Sequence, residues 1–206
     1  MTVPAHRVLP VLVGIIIGLL GTFSVAQTTP ATARLRGTVV SVAPASLVLK
    51  TREGEVIELQ LSDRLVVNEV YPITLADVQP GSFIGTAALP QADGSQRAIA
   101  VTVFPDAARG TGEGHRPFDL QPQSTMTNAT VAEVSSLGAG RRLQLKYKDG
   151  VQTVVVPPEA PIVTFRPGDR SLLVPGASVS LTAQAINDKP TALRINAGRN
   201  GFVLPY

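Results

Sequence analysis

Hydrophobic and polar residues alternate along much of this chain. In Arg142-Leu-Gln-Leu-Lys-Tyr-Lys148, Leu143, Leu145 and Tyr147 fall on one side, with Arg142, Gln144, Lys146 and Lys148 on the other. Period two with one apolar face predicts a half-buried strand. Asp149-Gly150 follows and suits a two-residue type I′ turn. That turn predicts Lys148 opposite Val151, Tyr147 opposite Gln152, Leu145 opposite Val154 and Leu143 opposite Val156. Leu47-Val-Leu-Lys-Thr51 alternates in the same way, but a two-residue Glu53-Gly54 turn would place Leu49 on a face with Glu58. One extra residue, in a three-residue loop or a glycine bulge, repairs this. Leu47, Leu49 and Thr51 then meet Leu61, Leu59 and Ile57, and Lys50 faces Glu58 across the outer side.

Further strands are predicted at Leu35–Ala43, Ser82–Leu89 and Gln96–Phe104, and at Ala129–Val134, Ala177–Ile186 and Thr191–Ala197. Tyr71–Asp77 reads as an irregular stretch in which Thr74 and Asp77 fit a capping box for one helical turn. Asp93-Gly94 and Asn187-Asp188 mark two more hairpins. The same order runs twice. Leu143 follows Leu47 by 96 positions, and Pro175 of Pro-Gly-Ala-Ser-Val follows Pro80 of Pro-Gly-Ser-Phe-Ile by 95. The expectation is an all-β chain: two tandem five-stranded barrels behind an N-terminal hydrophobic leader. The boundaries are 1–26 for the leader, 35–104 for the first β domain, 105–127 for a Gly/Pro-rich segment and 128–206 for the second β domain.

Three strands, a short helical turn and two strands resemble the OB fold. More narrowly, Arg36-Gly-Thr-Val-Val40, Leu47-Val-Leu-Lys-Thr-Arg-Glu-Gly54 and Leu75-Ala-Asp-Val-Gln-Pro-Gly-Ser-Phe-Ile84 resemble a family of secreted bacterial OB-like domains of unknown function. The second copy departs from that pattern, because Leu172-Leu-Val-Pro-Gly-Ala-Ser-Val179 lacks the Asp of the helical turn. The resemblance implies export and a β-barrel. It implies no activity and carries no functional residues over.

Composition narrows the function. The net charge of +3 is too small to argue for nucleic acid or an anionic membrane. No cysteine is present, which excludes disulfides, thiolate metal sites and a Cys nucleophile. His6 and Arg7 precede an apolar run, Val8–Phe23, that ends at Ser24-Val25-Ala26. This is the pattern of a secretory signal peptide cut after Ala26; an uncleaved membrane anchor is the rival reading, and the run is slightly short of the ~20 residues that span comfortably.

Residues 105–127 show neither strand nor helix period, yet they concentrate chemistry. They hold Arg109, Glu113, His115, Arg116, Phe118 and Asp119, and His115 is the only histidine beyond the leader. Segments between rigid elements often carry function, and a cleft between barrels is a usual ligand site. Glu113, His115 and Asp119 offer oxygen and imidazole ligands for a metal, at a spacing that matches no strong motif. The plainer reading has Glu113 or Asp119 pairing with Arg109 or Arg116 and pinning the segment to the barrels, with Phe118 stapled into an apolar notch. Gly110-Thr-Gly-Glu-Gly114 reads as turn-forming rather than phosphate-cradling, since no helix or P-loop lysine follows. The stripe Arg142, Lys146, Lys148 reads as a solvated outer face.

The favoured expectation is a non-catalytic cell-envelope binding or interaction module with no cofactor, taking an envelope protein, a glycan or a small ligand. It would touch membrane only through an uncleaved leader. The alternatives are a periplasmic metal-binding or hydrolytic protein using Glu113, His115 and Asp119, and a purely structural envelope accessory.

Overall fold

The amphipathic runs form strands throughout the computed structural model, which describes residues 32–206. The leader expected at 1–26 lies outside the described residues. The strands are β1 (Thr32–Val42), β2 (Ser46–Thr51), β3 (Val56–Ile73), β4 (Phe83–Pro90), β5 (Gln96–Val103), β6 (Gly114–Pro117), β7 (Thr125–Leu137), β8 (Gly140–Tyr147), β9 (Gly150–Val156), β10 (Ile162–Pro167), β11 (Ser178–Ile186) and β12 (Lys189–Gly198). Three single 3-10 turns join them, and the described residues contain no α-helix.

Both expected hairpins form, each shifted by two residues. In β8–β9, Leu145 lies opposite Gln152 and Leu143 opposite Val154, so the turn is Lys148-Asp149. Two residues is one full pleat period, so the faces survive the shift. Leu143, Leu145, Val154 and Val156 are all buried. Gly150 does not take the positive φ that a type I′ turn needs. It lies instead beneath Tyr147, where an added Cβ would sit 3.2 Å from the phenol oxygen. The β2–β3 loop has the expected three residues, closed by the Thr51 N–H on the Glu55 carbonyl at 2.8 Å with Gly54 at φ 92°. Leu47 there faces Leu59, and Lys50 faces Val56 rather than Glu58. The Asp77 carboxylate accepts from the Thr74 N–H at 2.8 Å and the Thr74 hydroxyl at 2.7 Å, so the capping pair forms. Asn187 and Asp188 both take positive φ, as the tight β11–β12 turn requires.

β3 differs most from expectation. It runs on through Tyr71, because Val66-Val-Asn-Glu-Val-Tyr71 combines three β-branched valines and a tyrosine with partners on both edges. β12 pairs with it on one side and β10 on the other.

The pairing pattern closes a five-stranded barrel. β1 pairs with β2, β2 with β3, β3 with β12, β12 with β11, and β11 with β1. The arrangement is consistent with an OB-like barrel. The additional strands make a second circuit, β7–β8–β9–β5–β4, closed by a short parallel pairing of β5 with β9. The sequence boundaries 35–104 and 128–206 cut across both circuits. The first takes β1–β3 from before residues 105–127 and β11–β12 from after them, and the second takes β4–β5 from before and β7–β9 from after.

Each circuit has its own core. Leu47, Leu49, Leu59, Leu181 and Ile195 fill the first, and Ile84, Val101, Val131, Leu143 and Leu145 the second. The antiparallel pair β3–β10 forms the seam, since β10 also pairs in parallel with β5. A third cluster sits on the seam: Val70, Val163 and Leu204, with Phe165, Phe202 and Tyr206 against it. Beside it Glu69, 5% exposed, accepts from the guanidiniums of Arg166 and Arg199 at 3.0–3.3 Å.

Candidate functional site

A cleft of about 470 Å³ opens beside the seam, between the outward faces of the two circuits and under the 105–127 segment. Its first wall comes from strand register. Arg36 lies opposite Ser180, Ser180 opposite Asn196, and Asn196 opposite Asn68. One pleat away, Arg34 lies opposite Thr182 and Thr182 opposite Arg194. Residues two apart on one strand share a face, so two polar rows stand side by side on β1, β11 and β12. The second wall is Thr102, Gly85 and Asn128, again adjacent across β5, β4 and β7. Phe104 and Phe165 meet edge to face, their ring centres 5.6 Å apart, and both line the cleft with Tyr206. Burial holds the Tyr206 phenol above its usual range, and a hydrogen bond from Thr102 opposes the shift.

The 105–127 segment covers this cleft with more order than its sequence suggests. It contains a short 3-10 turn and strand β6, which pairs with the part of β7 that β8 leaves free. Backbone pairing on an open edge needs no side-chain periodicity, so pattern reading misses it. Arg116 on β6 lines the cleft and donates to the Gly112 carbonyl at 2.8 Å. Burial, and then the positive charge of Arg34, lower the Arg116 pKa. Phe118 lies beneath two guanidiniums, with Arg34 and Arg36 5.3 and 5.2 Å from its ring centre. Such stacking of cation on ring is attractive. Asp119 accepts from Arg36 at 2.7 Å and contacts Arg34 at 3.4 Å, and the Arg36 hydrogen bond holds its carboxyl below the usual range.

Of the six sequence candidates, Arg116 and Phe118 line the cleft, and Asp119 reaches it through its pairs with Arg36 and Arg34. The other three act elsewhere. Arg109 donates to the Gly81 carbonyl at 3.0 Å, Glu113 accepts from the Lys148 N–H at 3.0 Å, and His115 Nδ1 bonds the Thr127 hydroxyl at 2.8 Å. Glu113, His115 and Asp119 do not converge, and among the described residues no group of three or more acids and histidines is placed to hold a metal. The segment is pinned to the strands, but Asp119 pairs with Arg36 and Arg34 rather than Arg109 or Arg116. Phe118 sits under arginines, not in an apolar notch.

Sequence reading missed Arg34, Arg36 and Arg194. The available signal was the pair Arg34 and Arg36, two cations spaced two apart where the expected strand begins. Arg36 is an unusual strand cation: its side chain is 10% exposed, and its Nε is buried without a partner. Arg194 is exposed, and its side chain makes no ion pair or hydrogen bond among the described residues. Four arginines thus line the cleft, and Asp119 pairs with two of them.

Comparisons of the chain with protein-family models, with curated proteins and with solved structures found no match.

Proposed function

We propose that this chain is a non-catalytic binding module of the bacterial cell envelope, built from two OB-like barrels on a duplicated sequence, and that its cleft holds a small anionic ligand. One observation carries the reading. Arg34, Arg36, Arg116 and Arg194 line a single cavity that no acid lines among the described residues, and Asp119 pairs with Arg36 and Arg34 at its edge. Cations crowded on one surface repel each other and bind anions through charge-assisted hydrogen bonds. Burial first, and the charge of Arg34 second, lower the Arg116 pKa, which fits that crowding. The volume suits a small molecule. Asparagine amides and aromatic rings around the arginines add orientation and an apolar contact. Export is inferred from the leader pattern at 1–26. Family membership is inferred from the residues that resemble secreted OB-like domains.

Calorimetric titration of the full chain with phosphate, sulfate, citrate and benzoate tests the binding reading, first at low ionic strength and then at about 0.15 M salt. At least one anion should bind saturably and weaken as salt rises. Silence with all four at both salt levels would remove the reading.

A further inference from the structure

We infer that Asp119 is a tethered stand-in for the ligand, and that the cleft selects a carboxylate attached to a flat apolar body. The inference rests on the anion-binding reading above and adds the ligand's chemical class and the group that it displaces.

The argument begins with Arg36. A guanidinium offers Nε and Nη as a planar fork that matches the two oxygens of a carboxylate. Asp119 uses only part of that fork. Its Oδ1 takes Nη2 of Arg36 at 2.7 Å and reaches Nη1 of Arg34 at 3.4 Å. Arg36 Nε is left buried and unpartnered. An unsatisfied donor on a side chain nine-tenths buried is costly, and a ligand able to fill the whole fork would recover that cost. The seat is thus already held by a carboxylate, but incompletely.

The surroundings define the rest of the ligand. The Phe118 ring lies against both guanidiniums. Phe104 and Phe165 present aromatic surface lower in the cleft, with Met126 on the far wall. A flat apolar body contacts these groups more fully than a compact tetrahedral anion does. Asp119 is itself half exposed, and it is tied down by its contacts with the two arginines. The Phe118 N–H donates to the Ser124 carbonyl at 2.8 Å, which closes the turn that carries Asp119. A ligand that takes the fork from Asp119 would free this turn.

The test compares the full-length wild type with Asp119→Asn, titrating benzoate and inorganic phosphate at low ionic strength. Asparagine keeps the size of the side chain and removes the competing charge. If the wild type is ligand-competent only while Asp119 is out of the seat, its apparent affinity falls by that open fraction. An exposed pair is weak, so Asp119→Asn should bind benzoate about three- to tenfold more tightly. Phosphate should gain less. Hydrogen exchange on the wild type gives a readout that survives if the variant does not fold: benzoate should speed exchange of the Phe118 amide. Equal or weaker benzoate binding by Asp119→Asn would overturn the stand-in role, and phosphate binding by the wild type would then leave the wider reading intact. A phosphate gain matching that of benzoate would overturn the carboxylate preference. Unchanged or slowed Phe118 exchange would overturn displacement, and failure of both anions to bind either protein would remove both readings.

Discussion

The two walls of the cleft occupy matching positions in the two circuits and carry opposite chemistry. Along β1, β11, β12 and β3 the adjacent residues are Arg36, Ser180, Asn196 and Asn68. Along β7, β4, β5 and β10 they are Asn128, Gly85, Thr102 and Val163. In the next row, Arg34, Thr182 and Arg194 stand against Met126, Ala87 and Ala100. One backbone pattern thus supplies a charged wall and a thin neutral one. The difference teaches how a cleft arises between two similar faces. Long charged side chains on both would fill the gap and repel each other. Glycine on one side leaves volume that the arginines on the other can use.

Filling the thin wall should have the largest effect. A Cβ on Gly85 would sit 2.8 Å from Asn128 Oδ1 and 2.9 Å from the Phe104 ring. Both neighbours are packed, so Gly85→Val should destabilise by about 1–3 kcal/mol. It should also push Phe104 into the cleft and abolish anion uptake. Ser180→Ala, at the matching position, should cost less than about 1.5 kcal/mol. Urea unfolding of the two variants checks this; equal losses would mean that the walls are not specialised.

Converting the charged wall to its neutral counterpart comes next. Arg34→Met with Arg36→Asn copies the residues of β7 onto β1. Hydrogen bonds to charged groups are worth about 1.5–3 kcal/mol, so anion affinity should fall by roughly ten- to 100-fold. Titration calorimetry reads the loss, and retained affinity would place the anion on Arg116 and Arg194 alone.

These walls were only partly legible in the sequence. Period two located the strands, and the sides of Leu47, Leu49, Leu143 and Leu145 were right although each register was off by two. Parity fixes a face, but turn geometry fixes the register. Gly150 misled because glycine serves both turns and close packing, and here it makes room for Tyr147. The pairing of strands from the two halves of the chain was not legible, since alternation says which face is buried and never which partner covers it. For the candidate site, clustered polar residues in 105–127 pointed to the segment that borders the cleft. Arg116, Phe118 and Asp119 stand together in that segment, but Arg34, Arg36 and Arg194 lie 75 or more positions from them in the chain, where only strand pairing brings them together.

The seam sharpens the comparison through pH. Glu69 on β3 pairs with Ala197, and the matching position on β10 is Thr164, which pairs with Val103. Thr164 is neutral and donates to the Val103 carbonyl at 2.8 Å. Glu69 is charged, and hydrogen bonds from Arg199 and then Arg166 hold its carboxyl below the ordinary value of 4.5. A carboxyl lowered in the folded state stabilises the fold above its unfolded value, and that contribution is lost as pH falls through the folded value. Acid should therefore loosen the seam from its Glu69 side as pH drops below about 4.5. Glu69→Gln should flatten that part of the stability profile, while Thr164→Val should leave its shape unchanged. Unfolding midpoints measured between neutral pH and acid decide this, and an identical acid limb in Glu69→Gln would assign the sensitivity to other carboxyls.

The smallest expected effect tests whether the covering segment belongs to the charged wall as a whole or only through its cleft-facing side. On β6, His115 and Arg116 are neighbours, so their side chains leave opposite faces of the strand. Arg116 lines the cleft, whereas His115 is exposed and bonds Thr127 at 2.8 Å. Backbone pairing of β6 with β7 does not depend on the imidazole. His115→Ala removes one partly buried hydrogen bond and should cost about 0.5–1.5 kcal/mol. Anion affinity should stay within about twofold, because a change of that size is below 0.5 kcal/mol and no cleft charge has been removed. Arg116→Ala in the same strand should weaken anion binding with a similar loss of stability. If His115→Ala weakened binding as much as Arg116→Ala, β6 would act as one rigid unit whose docking sets the cleft, and the specialisation would lie in how the segment is held rather than in which side chains face the arginines.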